Sequence, residues 1–192
     1  SPSNNNQPIV YFNNSETDDA VLDGFTLTGG GDNNGSAINI SSGNPRIENS
    51  IIKNNSNNAV YVKRPSVFKN SLFYDNPVSA IRVSTGNPAE FVNCTIANNG
   101  VGIYNPVEPN DVILKNTIVY GNSTNVSRLG YVAFYNSYLE FSGSGIDKGG
   151  NIFSDPFFID PANGNFKLQD YSPAIGAGNA TYAPSNDING KA

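Results

Sequence analysis

The chain of 192 residues has no Met, no Trp, no His and one Cys. Each absence removes a class of explanation. Without His, general-base chemistry falls to carboxylates, Lys or Tyr. A single Cys closes no intrachain disulfide, so the fold is not a disulfide scaffold. The missing Met, initiator included, is expected of a processed product or an excised piece, and no charged segment followed by an apolar one opens the chain, so any signal peptide is expected to have gone already. No apolar run reaches the roughly 18 residues of a membrane span, so none is expected. Charged residues are only 14%, and the net charge of −5 argues against a nucleic-acid partner. What is abundant is Asn, with 32 residues, beside 19 Gly and 12 Pro. High Asn with little charge predicts an extracellular or cell-surface protein of one domain.

The asparagines are periodic. VLDGFTL, RIENSII, VFKNSLF, EFVNCTI, ILKNTIV and AFYNSYL align on Gly24, Asn49, Asn70, Asn93, Asn116 and Asn136, at spacings of 25, 21, 23, 23 and 20 residues. Six residues further on a second column holds Gly30, Asn55, Asn76, Asn99 and Asn122. Short alternating runs, SAINIS, NAVYVK, SAIRVS and VGIYNP, precede Asn49, Asn70, Asn93 and Asn116 in turn. Each repeat of about 22 residues therefore holds three short strands separated by Asn- or Gly-marked bends. No apolar pattern runs at i, i+3, i+4, i+7, and Asn, Gly and β-branched residues dominate, which argues against helix. A leucine-rich repeat would need a regular Leu lattice, and WD40 and kelch periods are too long. The pattern predicts an all-β, right-handed parallel β-helix of about six coils, stacked at the interstrand spacing of about 4.8 Å.

Backbone chemistry explains the columns. A strand-to-strand corner without a loop needs a residue at φ > 0, which Gly and Asn tolerate best, so both columns are expected to be corners. Stacked carboxamides can also hydrogen-bond along the axis and satisfy one another. Two residues before the first column, Leu22, Ile47, Phe68, Phe91, Leu114 and Phe134 are expected to point inward. Leu27, Ile52, Phe73, Ile96, Val119 and Leu139, three residues after it, should do the same. Phe25, Ser50, Ser71, Cys94, Thr117 and Ser137 form a third inward stack, in which Cys94 reads as a small buried residue.

From about residue 141 the repeat fails, which divides the chain into coils over 1–140 and an irregular C-terminal cap over 141–192. The run NIFSDPFFIDPANGNFKLQDYSPAIGAG, followed by NDING, resembles the closing segment of many bacterial secreted or surface β-helix proteins of the pectate-lyase-like superfamily. There a DP-x-F-x-DP turn precedes a short strand and then SPAI-x-AG, and the opening AVLDGFTLTGG resembles the same proteins. The resemblance implies the β-helix fold and a fragment of a larger surface protein. It leaves activity open, because that superfamily contains lyases, hydrolases, epimerases and inert surface proteins. A solenoid end needs a cover, and Phe157, Phe158, Phe166, Leu168 and Ile175 are the residues expected to pack beneath the last coil.

Enzymes of this fold bind polysaccharide along one strand face. On the first strand of each coil the outward positions are Asn39, Tyr61, Arg82 and Tyr104, with Lys63 close by. Two Tyr flanking an Arg could stack sugar rings while Arg82 and Lys63 hold a carboxylate. Cross-strand pairing that merely stabilises the sheet describes the same column. The column before the first Asn series, Asp23, Glu48, Lys69, Val92, Lys115 and Tyr135, is no carboxylate cage for a hard cation. Asp18 and Asp19 are adjacent in a turn-like stretch and expected to be solvated. No catalytic residue, metal or cofactor is assigned. Another outward column, Thr26, Ile51, Leu72, Thr95, Ile118 and Tyr138, is too mixed for an ice-binding Thr ladder, and its apolar members predict a covered face. The cover would be a neighbouring chain or the excursion at 120–131. Of eight N-x-S/T sequons, those at Asn122 and Asn125 are expected in a loop open to modification. The leading functional expectation is a non-catalytic surface module acting as spacer, adhesin or filament subunit, with copies of itself as end-to-end partners. The alternative is a polysaccharide-binding or polysaccharide-cleaving domain whose partner is a surface glycan.

Overall fold

The computed structural model describes residues 8–31, 36–84, 88–106, 112–127, 132–140 and 145–188. Three parallel sheets wind around one core. The first sheet stacks Val10–Phe12, Ser36–Ile40, Asn58–Val62, Ser79–Val83, Val101–Tyr104 and Thr124–Ser127. The second stacks Val21–Asp23, Arg46–Glu48, Ser66–Lys69, Ala89–Val92, Val112–Lys115, Val132–Tyr135 and Ile146–Asp147. Thr26–Leu27, Ile51–Lys53, Leu72–Tyr74, Thr95–Ala97, Ile118–Tyr120 and Tyr138–Leu139 make the third. The expected β-helix is therefore present, and its registers match column to column, as in Ile47↔Phe68 and Phe68↔Phe91. Among the described residues no helix is long and apolar enough to cross a membrane.

Alternation sends every second side chain inward. Ile38, Ile40, Val60, Val62, Ile81, Val83 and Ile103 are fully buried from the first sheet, and Ile47, Phe68, Phe91 and Leu114 from the second. Phe68 and Phe91 stack in register, centroids 4.7 Å apart, and Phe73 meets both rings edge-on. Each such ring buries apolar area that contributes about 2–3 kcal/mol.

The two Asn columns do different jobs. At the corner between the second and third sheets, Asn49, Asn70, Asn93, Asn116 and Asn136 all have φ of 48–52°, with Gly24 at 76°. At the next corner the positive-φ residues are Gly29, Asn54, Asp75, Asn98 and Gly121, one position earlier than expected. Gly30, Asn55, Asn76, Asn99 and Asn122 are thus not the corner residues; the four asparagines point inward and are buried. Their carboxamides form a ladder. Asn55, Asn76 and Asn99 each donate both backbone N–H and Nδ2 to the Oδ1 of the asparagine one coil on, at 2.8–3.1 Å. Gly30 N–H starts the ladder at Asn55 Oδ1, and Asn125 Oδ1 receives its far end from Asn122.

A parallel hydroxyl ladder lines the first corner. Ser50 N–H donates to Ser71 Oγ and Thr117 N–H to Ser137 Oγ, while each hydroxyl donates to the carbonyl two residues back. Ser50, Ser71, Cys94, Thr117 and Ser137 are buried as expected. Phe25 is the exception at 52% exposed, because no described coil stacks before it.

The tail departs most from expectation. Coil structure continues past 140: Ile146–Asp147 pairs with Val132–Tyr135, Ile152 bridges Tyr138, and Asn151 Oδ1 accepts from Ser137 N–H. The segment beyond does not pack beneath the last coil. It runs back along the outer face of the third sheet as a strap. Tyr138 hydroxyl meets Ser154 and Asp155, Asn98 Nδ2 donates to Pro161 O, and Phe166 packs on Tyr74 at 5.1 Å. Of the five apolar cap residues, Phe158 is buried against Phe166, whereas Phe157 and Ile175 are exposed. The covered face exists, with Ile51, Leu72, Thr95 and Ile118 half-buried. Its cover is the tail and not the 120–131 excursion, whose Thr124–Ser127 is a strand of the first sheet.

Candidate functional site

The first sheet presents the outward column in register: Tyr11↔Asn39↔Tyr61↔Arg82↔Tyr104↔Ser127. Asn39, Tyr61, Lys63, Arg82 and Tyr104 are all half-buried there, held outward because their neighbours in the strands fill the core. The Arg82 guanidinium lies over the Tyr61 ring at 5.3 Å and the Tyr104 ring at 5.5 Å, and Lys63 Nζ lies 4.7 Å from the Tyr61 centroid. These cation–π contacts contribute about 0.5–1 kcal/mol each at such exposure.

That geometry constrains what the face can bind. Adjacent strands are about 4.8 Å apart along the axis. A cation over the ring of the next coil therefore turns the ring face along the axis and its edge toward solvent. The face that each of Tyr61 and Tyr104 turns toward Arg82 is thereby engaged. What remains outward is polar. Beneath that surface Arg82 Nε and Asn39 Oδ1 are buried atoms with no hydrogen-bond partner, a state that costs free energy.

On the second sheet Glu48 meets Arg46 at 3.5 Å and Lys69 at 3.9 Å, and Glu90 holds Lys115 at 2.6 Å. Asp18 and Asp19 are exposed. Among the described residues no three His, Cys, Asp or Glu side chains converge as a metal site. Burial pushes the Cys94 thiol up to about 12, so it is inert at ordinary pH. Asn122 and Asn125 lie in no open loop: the first is 8% exposed in the ladder and the second receives it. The sequon at Asn34 falls outside the described residues.

Local spacing missed the engagement of the first Asn column by the strap. Asn116, Asn93 and Asn70 donate to the carbonyls of Asn179, Tyr182 and Asn186. Lys115 Nζ lies 5.1 Å over the Tyr182 ring. Between strap and third sheet a cavity of about 360 Å³ is lined by Asn93, Asn116, Ile118, Tyr138 and Ala177 among others. The signal available in the sequence was the apolar outward column, which called for a cover without naming it.

No curated protein and no solved structure matches the chain. The family model described as the right-handed β-helix region matches residues 36–168, more than half of the sequence. With its three parallel sheets, inward ladders and coil-by-coil register, the chain belongs to the right-handed β-helix family.

Proposed function

We propose that the chain is a non-catalytic, rigid β-solenoid module of an extracellular or cell-surface protein, serving as spacer, adhesin stalk or filament subunit. The observation that carries this reading is where the polar groups are spent. Two inward ladders run along the solenoid, and the rings of Tyr61 and Tyr104 on the first sheet each lie against the Arg82 guanidinium. Polar groups so committed favour rigidity over chemistry.

The second reading, binding of an anionic polysaccharide, is favoured by Arg82 Nε and Asn39 Oδ1 standing without partners beside Lys63. One experiment separates the two. Parent and Tyr61→Ala/Arg82→Ala chains are screened against uronic-acid and neutral polysaccharides for binding and cleavage, with sedimentation velocity across concentrations. The spacer reading expects no glycan binding by either chain. Saturable uronic-acid binding that the double substitution abolishes would overturn it. A monomer at the highest concentration removes the filament role.

A further inference from the structure

The outward asparagines between the second and third sheets do more than the corner requires. Gly24 makes the same turn in the first coil at φ 76° without a carboxamide, so backbone freedom alone suffices there. In later coils the carboxamide reaches across to the tail. Asn116 grips the Asn179 residue twice, Nδ2 donating to its carbonyl at 2.9 Å and Oδ1 accepting its N–H at 2.8 Å. Asn93 Nδ2 donates to Tyr182 O, and Asn70 Nδ2 to Asn186 O at 3.3 Å. One coil back along the solenoid thus advances three or four residues along the tail. Every group gripped belongs to the main chain, so the column reads a peptide backbone and not a set of side chains.

The gripped segment is lightly held otherwise. No residue from 179 to 188 is fully buried, and the ring of Tyr182 rests under Lys115. Segments with few buried apolar contacts open locally at low free-energy cost. An element that opens easily and is anchored to the rest of the fold only through sequence-distant residues, as the Asn70, Asn93 and Asn116 bonds anchor this one, can be traded between identical chains.

We propose that Asn70, Asn93 and Asn116 form a peptide-backbone clamp, filled in cis by residues 179–186 and open in trans to the same segment of a second copy. Glycine substitution tests it cleanly, because glycine keeps the positive φ of Asn93 (52°) and Asn116 (49°) while deleting the carboxamide. A protease site is inserted after the exposed Gly176 in the full chain and cleaved. A fluorescein-labelled synthetic peptide of residues 177–188 is then titrated by anisotropy, with circular dichroism confirming the fold of every variant. The cleaved parent should bind saturably. Asn93→Gly/Asn116→Gly should bind about 100-fold more weakly, for three lost hydrogen bonds. Asn49→Gly, whose carboxamide contacts Asp23 and Asn70 but not the tail, should bind within about twofold of the parent for the same reason. Equal affinity in the clamp variant, or no saturation by the parent, overturns the clamp. In a second arm two uncut copies carrying different tags are mixed at high concentration and cross-linked. A tail of one copy captured on the clamp of the other is expected, and capture unchanged by the clamp substitutions overturns the exchange.

Discussion

Asn98 and Asn99 are chemically identical neighbours, yet the structure assigns them opposite energetic weight, and substituting each by glycine measures the difference. Asn98 sits at φ 55° with its side chain outward, where Nδ2 donates to Pro161 O at 2.8 Å. Glycine accepts that φ without strain, so Asn98→Gly should cost about 1 kcal/mol or less, one net hydrogen bond to the strap. Asn99 is 4% exposed. Its Nδ2 donates to Phe73 O, Ala97 O and Asn122 Oδ1, and its Oδ1 accepts from both Asn76 N–H and Asn76 Nδ2. Asn99→Gly strands a buried backbone N–H, for about 1–3 kcal/mol, and strips a partner from four other groups at about 0.5–1 kcal/mol each where no other donor compensates. A total of roughly 4 kcal/mol follows. Urea unfolding at 25 °C gives both values, and amide exchange at Asn76 shows whether the loss is local. A cost below about 1.5 kcal/mol for Asn99→Gly, or a larger cost at position 98 than at 99, would refute the assignment of the ladder.

Two further outcomes follow from close packing. At Gly100 a Cβ would lie 2.0 Å from Pro77 O and 2.8 Å from Val78 O, both backbone atoms, so Gly100→Ala should destabilise by roughly 2–3 kcal/mol; a thermal midpoint equal to the parent's would contradict the close approach of those coils. For Cys94, burial raises the thiol from 9.0 to about 12. As pH rises through that window the unfolded chain loses its proton first and binds fewer than the native state, so stability falls with pH. The parent should lose stability relative to Cys94→Ser between pH 8 and pH 10.5, and the native thiol should resist a disulfide reagent at pH 8. Labelling as fast as that of the urea-unfolded chain would place Cys94 outside the core.

How much of this was legible depends on which physical rule each residue obeys. The core columns were readable because alternation is local: Phe68 and Phe91 are fixed inward by their spacing from Asn70 and Asn93 alone. The second corner was displaced by one residue because Gly29-Gly30, Asn54-Asn55, Asn98-Asn99 and Gly121-Asn122 each offer two residues that tolerate φ > 0. The distinction was nonetheless present in the columns. The positive-φ series runs Gly, Asn, Asp, Asn, Gly, a set interchangeable for backbone reasons. The series beside it is Asn in every coil after Gly30, as only a carboxamide that donates and accepts can serve the ladder. The strap was not legible by position, since its bonds join residues 63, 89 and 116 apart. Its existence was implied by Ile51, Leu72 and Ile118 on an outward column, apolar side chains that solvent would penalise.

With the strap placed, the faces of the solenoid divide. The third sheet is covered by the tail. The outer face of the second is occupied by the Arg46–Glu48–Lys69 and Glu90–Lys115 pairs, with Lys115 also against the Tyr182 ring. The first sheet is left with cations and two unpartnered polar atoms. Under the polysaccharide reading, recognition there would rest on charge, because cations already lie against the Tyr61 and Tyr104 rings. Added salt would then weaken binding by screening over a Debye length of about 8–10 Å. Tyr104→Phe, which preserves the ring over Arg82, would leave binding nearly unchanged, while Arg82→Lys would lose the planar fork and its stacking together. Binding that survives high salt and fails on Tyr104→Phe would show instead that the phenol hydroxyl is the recognition element.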